Sequence, residues 1–146
     1  MITISKAVKS DSKNIIELEE RVWKEKNVTS IYDIPIFIKY GYTFVAKDEN
    51  KIIGVIIAIK TKEDNIFVLD WIIDKKYRRR EIGKKLYKKL ITSIKNSAIL
   101  SLVDENNIAS INAHKKLGFK IIKKLKDPYH LENNEYVYLM KMLRYH

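Results

Sequence analysis

The architecture of this chain depends on one stretch, IFVLDWIIDKKYRRREIG, which spans residues 66–83. Residues 66–73 are apolar on both faces apart from Asp70, and this pattern predicts a central strand that is covered on each side. The apolar residues that follow the basic turn recur every fourth position, at Ile82, Leu86, Leu90 and Ile94. Because lysines occupy the opposite face, this spacing predicts an amphipathic helix. A buried strand therefore leads through a basic turn into a helix.

The turn between the strand and the helix has the features of an anion-binding site. The first N–H groups of a helix have no intrahelical partner, and they lie at the positive end of the helix dipole. Arg78, Arg79 and Arg80 stand directly before them. We therefore expect this turn to bind a phosphate or pyrophosphate group. The alternative is a surface connection whose arginines are solvated, since short basic motifs are common.

A second segment combines a strand with a polar helix start. Residues 100–103 (LSLV) predict a buried strand, and the polar run 104–107 (DENN) leads into a short helix that Gly118 ends. Asn107 and His114 are separated by about two helical turns, so their side chains lie on one face of this helix.

These two segments resemble the signatures of the GCN5-related N-acetyltransferase (GNAT) superfamily over most of the chain. The first signature, Arg/Gln-x-x-Gly-x-Gly/Ala after a strand, corresponds to Arg78-Arg-Arg-Glu81-Ile-Gly83. The second, an Asn followed by a Tyr seven residues later and then by Lys-x-Gly-Phe, corresponds to residues 107–119. Glu81 replaces the usual first Gly, and His114 replaces the usual Tyr. Because Glu81 adds a charge and a Cβ atom beside the pyrophosphate, we expect its side chain to point to solvent, towards Lys84 or Lys85.

The resemblance implies an α/β fold (α+β mixed) with a central mixed, mostly antiparallel sheet of six to seven strands and about four flanking helices. The length of 146 residues suits a single GNAT domain over residues 1–146. The implied cosubstrate is acetyl-CoA, without a metal. The cofactor-binding residues that the resemblance implies are Trp71, Ile72, Ile73, Arg78, Arg79, Arg80, Glu81, Ile82, Gly83, Lys84, Asn107 and His114.

Acetyl transfer to an amine requires a polarised thioester, a base for the ammonium and an acid for the leaving thiolate. The resemblance implies that backbone N–H groups of residues 71–73 polarise the carbonyl. Asp70 is the candidate base, because burial raises the pKa of a carboxyl group. One alternative is that Asp70 is structural and pairs with a Lys, Arg or Tyr. Another is that a chain of water molecules acts as the base. His114 is the candidate acid or hydrogen-bonding partner of the thiol, with a structural histidine as the alternative. Asn107 bonds the pantetheine amide by resemblance, and it also suits the N-cap of its helix.

The acceptor amine stays open. Asp70 suits a small amine, polyamine-like or an antibiotic, while a protein N-terminus or a lysine is the other option. The tail that begins at Tyr129 and continues through Glu135–Met140 resembles that of ribosomal-protein and N-terminal acetyltransferases. Leu102, however, stands where those enzymes often have a catalytic Glu. By the same resemblance, Tyr32, Phe37 and Tyr40 are candidates to line the acceptor site, and packing under the first helix is the alternative.

A function from another class is a degenerate GNAT-fold binding module, with weak CoA binding and a basic face for nucleic acid. The net charge of +11 is compatible with this function. The lysines are nevertheless spread along the chain, so we expect the charge to reflect overall composition and an anionic cofactor rather than a nucleic-acid partner.

Composition excludes several further functions. The absence of cysteine excludes disulfides, thiolate metal sites and a cysteine nucleophile, and so predicts direct transfer without a covalent cysteine intermediate. No apolar run reaches the roughly 20 residues that span a bilayer. The N-terminus has no signal-peptide pattern, so we expect no membrane association and a cytoplasmic location.

The remaining sequence predicts further strands and helices. A long loop, residues 126–135, joins the last two strands. The predicted strands are Ile2–Ala7, Tyr42–Lys47, Ile52–Thr61, Phe119–Leu125 and Tyr136–Leu143. The first helix is capped within Ser10–Ser12, the loop Lys26–Ser30 follows it, and a second helix spans Ile31–Lys39. Gly54 indicates a bulge or close packing within its strand. An exposed edge on the Tyr136–Leu143 strand would allow a homodimer.

Overall fold

Within residues 1–24 and 29–143, which the computed structural model describes, the chain forms seven strands and four α-helices. In chain order they are β1 (Ile2–Lys6), α1 (Ser12–Trp23), α2 (Ile34–Tyr40), β2 (Tyr42–Asp48), β3 (Lys51–Lys60), β4 (Ile66–Ile73), α3 (Ile82–Ser93), β5 (Ile99–Asp104), α4 (Ile108–Leu117), β6 (Lys120–Lys126) and β7 (Tyr136–Met142). Residues 26–28 of the predicted loop Lys26–Ser30 lie outside the described residues. No helix in the described ranges is long and apolar enough to cross a membrane.

The seven strands form one sheet in the order β1-β2-β3-β4-β5-β7-β6. Four of the pairings are antiparallel, namely β1–β2, β2–β3, β5–β7 and β6–β7, whereas β4 and β5 run parallel. The predicted α/β fold with a mixed, mostly antiparallel sheet is therefore confirmed. Residue contacts divide the chain into two compact units, Met1–Ile59 with Leu69–Lys95, and Lys60–Val68 with Asn96–His146. The single domain over residues 1–146 stays a prediction.

In the first unit, α1 and α2 bury their apolar faces against the sheet. Ile15 and Leu18 of α1 and Ile34 of α2 are fully buried, and they share a core with Val45 of β2 and Val55 of β3. Hydrophobic burial of these residues is the main stabilising contribution to such a core. The amphipathic pattern of the first helix thus predicted its buried face correctly.

Gly54 of β3 lies where the strand is both irregular and tightly packed. The β2–β3 register shifts there, since Ala46 pairs with Gly54 and Lys47 pairs with Ile52. A Cβ atom at Gly54 would lie 2.9 Å from Cδ1 of Ile73. The predicted bulge and close packing are both confirmed, and the contact explains why a side chain is disfavoured at this position.

Of the two predicted helix starts of this unit, the first is confirmed, because the N-cap residue of α1 is Asp11, within Ser10–Ser12, and only the second needs correction. α1 begins at Ser12 after a short 3-10 turn, Lys9–Asp11, and the Asp11 side chain does not cap it. The Asp11 carboxylate instead accepts the Val8 N–H at 2.9 Å and pairs with Lys47 at 2.9 Å. α2 begins at Ile34 rather than Ile31, because Pro35 has no N–H and fits only the first helical turn.

In the second unit, β7 lies between β5 and β6 and is hydrogen-bonded on both sides. The predicted exposed edge on β7 is therefore wrong, and the homodimer inferred from it loses that basis. The edge strand is β6, which carries four lysines and a register irregularity at Ile122. Lysines and bulges on an edge strand oppose pairing with another chain, so this edge is protected.

Candidate active site

The turn between β4 and α3 is organised by Asp74, whose residue is only 6% exposed. Its backbone N–H donates to Ile53 O at 2.7 Å, and its Oδ1 accepts the Lys76 N–H at 3.1 Å. The Arg21 guanidinium of α1 donates to Oδ2 through Nε at 3.1 Å. Burial acts to raise the pKa of the Asp74 carboxyl, but the Lys76 N–H and Arg21 outweigh it and hold that pKa below its usual value. Asp74 and Arg21 therefore fix the path of the chain out of β4, and our sequence analysis missed both residues.

The turn itself carries exposed arginines on an unusual backbone. Arg79 and Glu81 are left-handed, with φ of 68° and 59°. Left-handed residues within a turn direct successive backbone N–H groups to one side, which creates an anion-binding concavity. The Lys85 N–H donates to Glu81 O at 3.0 Å, so the N–H groups of residues 82–84 precede this first intrahelical bond. The predicted residues 78–84 thus form one arginine-rich turn at the positive end of the α3 dipole.

The side chain of Glu81 is exposed, as expected. Its carboxylate forms no ion pair with Lys84, Lys85 or any other residue in the described part of the chain, so the expected lysine contact is not formed. Left-handed backbone costs a residue with a Cβ atom roughly 1–2 kcal/mol, whereas glycine adopts it freely. Glu81 therefore carries backbone strain without a compensating side-chain contact.

Gly83 is required by the indole ring of Trp71. Nε1–H of Trp71 donates to Gly83 O at 3.1 Å, and a Cβ atom at Gly83 would lie 3.0 Å from Cζ2 of the same ring. The ring also contacts the buried Tyr87 edge-on, with centroids 4.6 Å apart. The sequence predicted a role for the Trp71 backbone only. The Trp71 side chain connects the end of β4 to the first turn of α3 by its hydrogen bond to Gly83 O.

The backbone of residues 71–73, the predicted oxyanion donor, follows the parallel part of β4. The parallel ladder pairs Ile66–Val68 with residues 99–101 of β5 and ends there. Trp71, Ile72 and Ile73 come after the end of this ladder. Their role at the thioester carbonyl stays a prediction.

Asp70 faces another carboxyl group, that of Glu19. Burial, and then the hydrogen bond and charge of Glu19, raise the pKa of Asp70 to about 9, against the opposing effect of the Trp71 N–H. The direction of this shift agrees with the expectation for a buried carboxyl group. The neighbouring side chain, however, is an acid and not the Lys, Arg or Tyr of the structural alternative. Thr29 Oγ1 donates to Oε2 of Glu19 at 2.7 Å. Glu19 Oε1 and Asp70 Oδ2 are buried, and neither accepts a hydrogen bond from an N–H or O–H group of the described residues.

Glu19 is the most informative residue that our sequence analysis missed. It is fully buried on α1, although it is ionisable. The signal was present, because Glu19 lies four residues after Ile15 and next to Leu18, on the apolar face of an amphipathic helix. An acidic residue at such a position is rare without a partner.

In the second unit, Asn107 caps α4, as predicted. Its Oδ1 accepts the Ser110 N–H at 3.1 Å. Its side-chain NH2 group makes no hydrogen bond to a described residue. The capping oxygen and the amide donor are separate groups, so the cap leaves the donor able to bind a carbonyl such as that of pantetheine.

His114 is 2% exposed, and its ring contacts Phe119 edge-on with centroids 5.0 Å apart. Nδ1 lies 2.8 Å from Ser110 O, and since a carbonyl oxygen only accepts, the neutral ring carries its hydrogen on Nδ1. Burial lowers the pKa of His114, against the opposing effect of the Ser110 carbonyl. In this neutral form Nε2 carries a lone pair and no hydrogen. Contact of His114 with the CoA thiol and proton donation to the thiolate both stay predictions.

The predicted site residues thus fall into two groups. Residues 70–84 belong to the first unit, and Asn107 with His114 belong to the second. The first group offers an anion-binding turn and Asp70, which lies beside the buried Glu19. The second offers an amide donor and a neutral imidazole.

The model of the acetyltransferase (GNAT) family matches residues 12–119. Among curated proteins, no significant match was found. The fold is similar to that of the ribosomal-protein-S18-alanine N-acetyltransferase from Escherichia coli, with a TM-score of 0.82, 19% identity, and coverage of 98% of this chain and 94% of that chain. It is also similar to Arabidopsis thaliana Naa50 in complex with the bisubstrate analogue CoA-Ac-MVNAL, with a TM-score of 0.80, 18% identity, and coverage of 98% and 99%.

A third similar structure is that of a Bacillus anthracis acetyltransferase, named for streptothricin, in complex with acetyl coenzyme A. Its TM-score is 0.66 at 26% identity, and the match covers 71% of this chain and 62% of that chain. The family match extends over well more than half of the chain and includes the basic turn and the Asn107–Phe119 segment. The chain therefore belongs to the GNAT acetyltransferase family.

Proposed function

We propose that this protein transfers an acetyl group from acetyl-CoA directly to a primary amine. The observation that carries the proposal is the turn from Arg78 to Lys84. It presents three exposed arginines and the N-terminal amides of α3, and two of its residues adopt left-handed backbone. In a member of the GNAT family, this combination suits the pyrophosphate of CoA.

In the proposed complex, backbone amides of residues 82–84 bind the pyrophosphate and the arginines contribute charge. The Asn107 side-chain NH2 group binds a pantetheine carbonyl. The strand backbone of residues 71–73 donates to the thioester oxygen as it becomes negative. His114 stands where the family usually has a Tyr, and its proposed role is to contact the CoA thiol as the acid or as a hydrogen-bonding partner.

The reaction requires a neutral amine, because an ammonium has no lone pair. Asp70 is the proposed base for this step, and its raised pKa brings its proton affinity closer to that of an alkylamine. The chain has no cysteine, so an acyl-cysteine intermediate is excluded and direct attack is the simplest route. We place the whole reaction in one domain over residues 1–146.

The acceptor belongs to one of two classes, a small free amine or an amine of a protein. The Escherichia coli and Arabidopsis proteins with a similar fold are named for, or complexed with, N-terminal acceptors, which supports a peptide N-terminus. The Bacillus protein named for streptothricin supports a small amine. A panel of spermidine, a peptide with a free N-terminus, and an N-blocked peptide with one lysine separates these classes by mass spectrometry of the product.

Thermal unfolding with and without acetyl-CoA tests the cofactor part of the proposal. At about 100 times Kd, a ligand adds about 2.7 kcal/mol of stability, which should raise Tm by several degrees. We expect a clear shift that Arg79→Glu and Asn107→Ala reduce and that Lys62→Glu, a charge reversal at an exposed turn, leaves intact.

Absence of a shift in the wild-type protein would contradict the proposal. If the same protein then bound single-stranded RNA with a strong salt dependence, the alternative of a degenerate binding module would be favoured. A shift without any acetylated product from the amine panel would keep CoA binding and reject the transferase reaction with these acceptors.

A further inference from the structure

Glu19, which is fully buried, and Asp70, whose Oδ2 is buried, form an acid pair without a neutralising cation among the described residues. Arg21, two residues after Glu19, forms an ion pair with Asp74 at 3.0 Å, and Lys47 forms one with Asp11 at 2.9 Å. The neighbouring strand β3 contributes only apolar residues over 52–58. Within the described residues, Glu19 is the ionisable group whose charge acts on Asp70.

The unsatisfied oxygens of the pair are atoms that a shared proton would satisfy. Glu19 Oε1 and Asp70 Oδ2 are the two buried side-chain atoms without a partner in the described chain. Two carboxylates would leave both oxygens as acceptors facing like charge, which burial makes especially costly. One proton turns one oxygen into a donor and satisfies both atoms at once.

We propose that Glu19 is the positioning residue of the base, sharing one proton with Asp70 and thereby matching the proton affinity of Asp70 to that of an acceptor ammonium group. This inference rests on the proposed function. An isolated carboxylate is far too weak a base for an alkylammonium, and a second buried negative charge corrects this mismatch. The Thr29 hydroxyl holds Glu19 in place through its other oxygen.

The proton and bond balance of the step is complete without a further reactant. The unprotonated pair removes one proton from the acceptor ammonium, and the neutral amine attacks the thioester carbonyl. The N–C bond forms and the C–S bond breaks, while the remaining excess proton on nitrogen passes to the departing thiolate. Asp70 then releases its proton to solvent, so the net products are the acetamide, CoA thiol and one proton.

The test compares the wild-type protein with Glu19→Gln, which keeps the shape and the Thr29 contact but removes the charge. With the amine acceptor that the panel identifies, we expect kcat/KM of the wild type to rise with pH to an alkaline limit. In Glu19→Gln the rise should move to lower pH by about one unit or more, whereas Kd for acetyl-CoA should stay within about twofold. Asp70→Asn should lose this pH limb.

A second readout does not need activity. The carboxyl carbon of Asp70, followed by NMR with 13C-labelled aspartate and assigned with Asp70→Asn, should titrate far above the usual range in the wild type and lower in Glu19→Gln. A wild-type Asp70 that titrates in the ordinary carboxyl range would overturn the shared proton, whether or not the variants fold. If the protein were inactive but Asp70 titrated at alkaline pH, the transferase function would be rejected and the acid pair retained. If the pH dependence of kcat/KM were unchanged in Glu19→Gln, the positioning role of Glu19 would be rejected.

Discussion

Replacing Gly83 by alanine should destabilise the protein, although alanine is the better helix former. The added Cβ atom would lie 3.0 Å from Cζ2 and 3.3 Å from both Cε2 and Nε1 of Trp71. The indole cannot move away without loss, because Nε1–H is bonded to Gly83 O and the ring packs edge-on against Tyr87. Tyr87 is itself fully buried, so the strain passes into the core.

The size of the effect follows from two opposing contributions. Overpacking a rigid contact costs about 1–3 kcal/mol, while exchanging glycine for alanine within a helix gains at most about 1 kcal/mol. We therefore expect a net loss of about 1 kcal/mol for Gly83→Ala, which corresponds to roughly 2–4 °C in Tm for a chain of this length. In a Trp71→Leu background the clash is removed, and the same Gly83→Ala change should become stabilising.

Urea denaturation of the four proteins in this cycle, without acetyl-CoA, measures the coupling free energy. We expect about 1–3 kcal/mol between the two positions. If Gly83→Ala had the same effect in both backgrounds, the indole would not be the reason for the glycine. Because no cofactor is present, the measurement separates this structural requirement from any requirement of the pyrophosphate.

Three further predictions concern charge. Glu81→Gly should relieve left-handed strain and raise acetyl-CoA affinity. The control is Glu49→Gly: Glu49 is also left-handed (φ 56°) but lies in the β2–β3 turn, so its replacement should leave the affinity unchanged. Isothermal titration calorimetry measures both variants, and equal acetyl-CoA affinities of the two variants would contradict the placement of Glu81 at the pyrophosphate. The raised pKa of Asp70 means that its contribution to stability is complete below the ordinary value of 3.8 and is lost as pH rises towards about 9. Wild type should therefore lose up to about 1.4 kcal/mol per pH unit relative to Asp70→Asn between pH 5 and 8 in urea denaturation, and a constant difference would contradict the shift. For His114, whose pKa is lowered by burial, the sign is opposite: wild type should lose stability as pH falls through 6.5, and His114→Gln should lack this dependence.

The parts of the molecule that are encoded locally could be predicted from the sequence. The β4–turn–α3 unit follows from a change in hydrophobic period, and such a change is visible within a window of about 18 residues. The cap at Asn107 and the end of α4 at Gly118, which has φ of 105°, depend on neighbours within five residues. The structural roles of these positions can therefore be predicted without knowledge of the rest of the fold.

The parts that depend on distant residues could not be predicted. Arg21 and Asp74 are 53 residues apart, and Glu19 meets Asp70 over a similar separation. The insertion of β7 between β5 and β6 has the same origin, because an alternating strand pattern predicts pairing but not the neighbour on each side. The sequence therefore predicted Asp70 as a candidate base, which stays a prediction, but it could not predict that Glu19 lies beside Asp70.

The two residues that depart from the family signature, His114 and Glu81, differ in how well the surrounding structure accommodates them. His114 is accommodated, since it is buried, bonded to Ser110 O and packed against Phe119, so its replacement would disturb the core of the second unit. Glu81 is not accommodated, since it has left-handed backbone and no ionic partner among the described residues. His114 therefore contributes to the stability of the fold, whereas Glu81 reduces it. A residue that costs stability on the rim of an anion-binding turn is expected to act on the anion, and here its negative charge would weaken the retention of CoA.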